Sequence, residues 1–98
     1  NIVHNLGLLN FRNPEPPAWA TAFRDRVNSL IAAGDFTALA NFEDLPDNRL
    51  AIPTPEHYLP LLYALACARA GDSLELFNDD VWSTLSMTSL ALGMGRAP

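Results

Sequence analysis

Pro53-Thr54-Pro55-Glu56-His57-Tyr58-Leu59-Pro60-Leu61-Leu62 puts a helix start, a histidine and the head of an apolar run into one short stretch. Thr54 precedes a proline, which pushes its backbone toward the extended conformation of an N-cap, and its hydroxyl is free to accept an orphan N–H. Pro55 suits a first helical position. Glu56 and His57 then fall in the first turn, where the positive end of the helix dipole favours a carboxylate and disfavours an imidazolium. Ionised carboxylate and neutral imidazole are also the states that bind metals. Pro60 removes a helical hydrogen bond and crowds the carbonyl of Glu56. Either the helix kinks there, or residues 55–59 form a separate tight turn and the main helix begins at Pro60.

Downstream, Leu59, Leu61, Leu62, Tyr63, Leu65 and Ala66 are apolar nearly all round, which predicts a helix covered on several sides and ending at Gly71. Residues 73–78 alternate, with Leu74 and Leu76 opposite Glu75 and Phe77. Residues 84–92 alternate again, with Leu85 and Met87 opposite Ser86 and Thr88. Asn78, Asp79 and Asp80 supply a turn, so two strands joined by a short excursion are expected. The closing G-M-G-R-A-P is expected to fray.

Upstream, residues 1–9 are mostly apolar and suit a buried strand end, interrupted by His4 and Asn5. A proline-rich loop covers residues 10–17. From Pro17 to Ala33, Trp19, Ala22, Phe23, Val27, Leu30 and Ile31 recur at helical spacing, and Gly34 provides a left-handed stop. Asp35 is placed to cap a short helix through Asn41 with Phe36, Leu39 and Ala40 inward. Glu43, Asp44 and Asp47 lead into a loop, with a solvated surface as their simplest reading. The order strand, helix, helix, strand predicts an α/β fold with helices packed on a central sheet.

At 98 residues the chain has room for one small domain, and 49% hydrophobic residues is rich for one that stands alone. Some apolar surface is therefore expected to cover something beyond these residues. The net charge is −5, from six arginines, no lysine and eleven acids. Nucleic acid binding is not expected, because counterion release needs a basic face. The single cysteine, Cys67, lies in an apolar run and reads as a small buried residue, which with the lack of an internal disulfide fits a reducing, cytoplasmic setting. No apolar run reaches the roughly 18–20 residues of a membrane span.

Only two histidines occur, His4 and His57, 53 positions apart. One falls at a predicted strand end and the other at a helix entrance, where α/β folds gather ligands. Two donors alone do not make a site, since zinc takes about four and a facial iron site three. Tyr58, Tyr63, Trp19 and Trp82 read most simply as packing residues. Ser83, Ser86 and Ser89 lack a nucleophile elbow, and Gly93 and Gly95 are too weak a pattern for a phosphate loop.

P-T-P-E-H-Y-L-P-L-L-Y-A-L, together with I-V-H-N-L at residues 2–6 and D-S-L-E-L-F-N-D-D-V-W-S-T-L-S-M-T-S-L at residues 72–90, resembles the C-terminal part of the DODA-type, LigB-like class III extradiol ring-cleavage dioxygenases. These are the relatives of 4,5-DOPA dioxygenase. The resemblance implies that residues 1–98 are the C-terminal part of one catalytic domain, with the remaining sheet strands and the first metal-binding histidines in a preceding segment. It implies His57 as a metal ligand and His4 as an active-site residue, either acid–base or a further ligand. Glu56 is a weaker candidate ligand. The implied cofactor is Fe(II) or Zn(II), and the implied partners are a catecholic substrate, O2 and the preceding part of the same protein, with homo-oligomerisation open. A non-catalytic α/β module and a zinc-dependent hydrolase using the same histidines are the rival expectations.

Overall fold

Residues 1–69 and 71–93 are described by a computed structural model, a mixture of short helices and small antiparallel sheets measuring 46 × 26 × 20 Å. Its backbone is helix α1, Ala18–Ala33, whose Ala20, Phe23, Val27 and Ile31 recur at spacings of three and four and are all buried. That stripe is what a helix with one face on the core requires. Gly34 closes α1 in the left-handed conformation at φ 70°, its N–H reaching the Ile31 carbonyl, where a side chain would strain the backbone. Helix α2, Phe36–Ala40, follows at once, capped as expected by the Asp35 carboxylate accepting from the Ala38 N–H. Its Leu39 is buried, whereas Phe36 and Ala40 face solvent.

The acidic stretch is more ordered than a plain loop. It contains a 3-10 turn over Phe42–Asp44 and helix α3, Asn48–Ala51, entered through Asp47 in the left-handed region at φ 63°. Ala51 and Ile52 plug the core beside Ile2 and Val3. Residues 2–3 are buried, as a strand end should be, but the chain makes only an isolated antiparallel bridge, His4 to Leu85, before a 3-10 turn over Leu6–Leu8 carries it to the surface.

The decisive stretch takes the second of its two options, one residue early. Pro55–His57 is a separate 3-10 turn, and helix α4, Leu59–Ala66, starts afresh with Pro60 in its first turn. Placed there, the proline lacks only an N–H that would have had no partner. Thr54 is extended as expected, yet it caps no backbone group; its hydroxyl donates to the Glu56 carboxylate instead, at 2.6 Å. Three further expectations fail at α4. The helix stops at Ala66, short of Gly71, leaving Cys67 exposed, and none of its residues is buried.

Strands β1, Leu74–Phe77, and β4, Ser89–Leu92, pair antiparallel with Leu76 opposite Leu90. The excursion between them is itself a hairpin of β2, Val81–Trp82, and β3, Leu85–Ser86, turning through Ser83 at φ 52°. Among the described residues these are two separate two-stranded sheets, with no single central sheet. Of the alternating residues 85–88, Ser86 is fully buried and Met87 exposed; Ser86 donates its N–H to the Val3 carbonyl and its hydroxyl pairs with Thr88 at 3.0 Å. A lone hairpin is marginal, and Asp79 ties this one to α1. Its carbonyl accepts from Arg24, and its carboxylate accepts from Asn28 at 3.0 Å and from Thr88 at 2.5 Å. Gly93 is in place at φ 70°, and the remainder of the closing G-M-G-R-A-P lies outside the described residues. No helix among the described residues is long and apolar enough to cross a membrane.

Candidate functional site

His4 is held from both sides by backbone. Its N–H donates to the Ala51 carbonyl at 2.9 Å, while the flanking Val3 carbonyl and Asn5 N–H bond to Ser86 and Thr84 of the hairpin. Asn5, read from sequence as a polar interruption, is the brace of this segment. Its Oδ1 accepts from the Leu8 N–H, its Nδ2 donates to the Leu50 carbonyl at 2.8 Å, and its own carbonyl accepts from the Thr84 hydroxyl at 2.5 Å. An asparagine three residues before the end of L-G-L is a local capping signal; its bonds to Leu50 and Thr84 leave no mark in the sequence.

His57 is fixed by its neighbour. Tyr58 is 1% exposed, and its hydroxyl donates to the Leu39 carbonyl at 2.7 Å while its ring leans on Phe42 with centroids 4.9 Å apart. Burial pushes the Tyr58 phenol up to about 12. With Tyr58 locked in the core, the preceding 3-10 turn leaves His57 exposed at the surface where His4 emerges.

The two imidazoles meet there. Their rings stack with centroids 3.6 Å apart and planes 13° from parallel. The structure thus brings together two side chains 53 positions apart, and each ring arrives on a segment anchored by other residues. Burial lowers the His4 pKa from its ordinary value, and the neighbouring His57 lowers it further by charge repulsion. The Glu56 carboxylate favours the cationic form of His4 slightly, and the Thr54 hydroxyl, followed by a backbone N–H, holds the Glu56 carboxyl below the usual range.

Around one ion, two imidazole nitrogens at bond lengths of about 2.0–2.1 Å stand roughly 3–3.4 Å apart. The 3.6 Å here separates ring centroids, and with planes 13° from parallel the in-plane lone pairs of the two rings do not converge on one point, so a ring must tilt before both could meet one ion. In donor type the pair suits a metal, and neutral imidazole is the state that burial of His4 favours. Among the described residues no third histidine, cysteine, aspartate or glutamate completes a group of three, so Glu56 does not join them as a ligand here.

The chain is similar to 4,5-DOPA dioxygenase extradiol of Escherichia coli K12. Identity is 33%, covering 95% of this chain and 36% of that protein, so the chain spans little more than a third of its relative's length. The crystal structure of an uncharacterized protein from the same organism superposes with a TM-score of 0.78 at 32% identity, over 92% of this chain and 39% of that one. No protein-family model matches the chain. The first of these likenesses is a distant homology to a protein named as an extradiol dioxygenase.

The remaining candidates scatter. Tyr58 is core, Tyr63 is 70% exposed, Trp19 packs at the edge of the core, and Trp82 sits half open beside Phe11 with ring centroids 5.6 Å apart. Ser83 is buried in bonds to Asn10 and Pro14 of the proline-rich loop and Ser86 in bonds to Val3 and Thr88, while Glu43, Asp44 and Asp47 are exposed.

Proposed function

We propose that this chain is the C-terminal part of a metal-dependent extradiol ring-cleaving dioxygenase domain acting on a catecholic substrate. The stacked contact of His4 and His57 is the observation that carries the reading, joined to the similarity with 4,5-DOPA dioxygenase extradiol over almost the whole chain. In this reading His57 is a metal ligand and His4 either a second ligand or the acid–base group, and the donors still needed come from a preceding segment of the same polypeptide. The metal, Fe(II) by its chemistry with O2 and catechols, would supply a common binding point for both reactants. Zn(II) has no accessible redox change and fits the reading less well.

What the protein contributes is position and proton handling. His4 is half-buried and disposed to remain neutral, so it has a free nitrogen lone pair for a proton from a catechol hydroxyl and can return that proton when the ring opens. Its backbone clamps to Ala51 and the hairpin hold it against recoil during that transfer.

The test is oxygen consumption by the full-length polypeptide supplied with ferrous ion and DOPA, beside His4→Ala and His57→Ala. Uptake that disappears in both variants supports the reading. Metal binding without oxygen uptake points to hydrolytic chemistry. The alternative is a binding module that keeps the fold without the chemistry. That alternative requires the full-length protein to bind no metal.

A further inference from the structure

His4 stands at the edge of a ribbon whose two faces differ. It bridges Leu85 in the antiparallel sense, and Leu85 is paired in turn with Trp82 across the β2–β3 hairpin. Side chains directly opposite one another in antiparallel strands project from the same face. His4, Leu85 and Trp82 therefore form one row, and Met87, two residues beyond Leu85, shares their face. The other face carries Val3, Val81 and Ser86. Val3 and Ser86 are fully buried, and Val81 packs against the core.

The row is uncovered where it leaves the imidazole. Trp82 is 37% exposed and Met87 49%, and Phe11, whose ring meets Trp82 with centroids 5.6 Å apart, is 77% exposed. On its other flank His4 donates its N–H to the Ala51 carbonyl, and there Ala51 and Ile52 are buried. Along the ribbon, then, a ligand engaged at the His4 ring finds open side chains on one flank only, Leu85 and then Trp82. Adjacent strands lie about 4.7–4.9 Å apart, so two spacings carry it roughly 10 Å.

The row is apolar up to its far corner. There Met87 donates its N–H to the Asp80 carbonyl at 2.8 Å, which continues the hairpin register and puts exposed Asp80 on the face of Trp82. An anionic substituent would meet that carboxylate with no cation in the row to offset it. An aromatic one gains offset or edge contacts with the indole.

We propose that Trp82, backed by Phe11, is a specificity-determining residue of the imidazole site, receiving an apolar aromatic substituent on a catechol held at His4 and His57. The proposal rests on the dioxygenase reading, which supplies the catechol; the row adds which catechols are preferred.

The test compares biphenyl-3,4-diol, whose second ring extends along the row, with catechol itself, on the full-length polypeptide supplied with ferrous ion. Anaerobic calorimetry gives the two affinities, and oxygen uptake gives the two values of kcat/KM. The unaltered protein should prefer the biphenyl by both measures. In Trp82→Ala the biphenyl-to-catechol ratio should fall about tenfold, the scale of one aromatic contact. The loss should lie in KM rather than kcat, as removal of a remote binding contact requires. Phe11→Ala, a truncation at a surface side chain that does not threaten the fold, should lower the ratio about two- to threefold, and Trp82→Phe should keep most of it. Ratios unmoved in both Trp82→Ala and Phe11→Ala, or a loss confined to kcat, would overturn the proposal and leave the dioxygenase reading standing. Neither binding nor oxygen uptake with either catechol in the unaltered protein would overturn that reading, and this assignment with it.

Discussion

Helices α1 and α4 invert the usual relation between sequence and burial. The first is mixed in composition and buries four side chains; the second is almost wholly apolar and buries none. The difference lies in what each has to pack against. A polar face tells α1 which way to turn; α2, α3 and β3 pack against it, and its polar Arg24 and Asn28 hold the hairpin through Asp79. Helix α4 has no polar face to orient it, and the core touches only Leu61, Leu62 and Leu65 in part, leaving Tyr63 70% exposed. Hydrophobicity measures the tendency to be covered, and coverage needs a neighbour.

The largest test of this contrast is a pair of truncations read by urea denaturation. Phe23→Ala opens a cavity under α1 and should cost about 3–5 kcal/mol. Tyr63→Ala on α4 should change stability by no more than about 0.5 kcal/mol. Comparable losses at both sites would mean that α4 is packed as tightly as α1. A sharper question is whether α4 is held at its start or along its length. Tyr58→Phe leaves the buried Leu39 carbonyl without its donor and should cost about 1–3 kcal/mol. Together with a silent Tyr63→Ala, that result would place the anchorage at the entrance of the helix.

The smallest effect comes from the imidazole pair at the same entrance. Burial and the nearby His57 lower the folded-state pKa of His4 below the unfolded value of about 6.5. Between those two values the unfolded chain binds more protons. His4 therefore contributes stability that is present above about pH 6.5 and is lost as pH falls through the folded value. The urea midpoint should drop between about pH 7.5 and pH 5, and His4→Gln should flatten that part of the slope. An unchanged slope would show that neither burial nor His57 lowers the His4 pKa in the folded chain.

Much of the local structure was legible. The buried stripe of α1, the glycine at its end and the Asp35 cap each rest on spacings or interactions within a few residues, which a sequence displays directly. The separate turn before Pro60 was one of two outcomes that the ring chemistry of proline allowed. The inward facing of Ser86 and the bracing of His4 by Asn5 were not legible. Both depend on partners some 80 positions away, and alternation alone assigns the serine to solvent.

The candidate site divides along the same line. From the sequence by itself came the two histidines as the only imidazoles, the turn that presents His57, and the need for donors beyond them. Tertiary structure alone decided that the rings stack, that Glu56 stays outside the pair, and that α4 is left uncovered. The physical reason is reach. Caps, turns and helical stripes are fixed by neighbours along the chain, whereas ring contact and burial depend on which distant surfaces are present to close upon them.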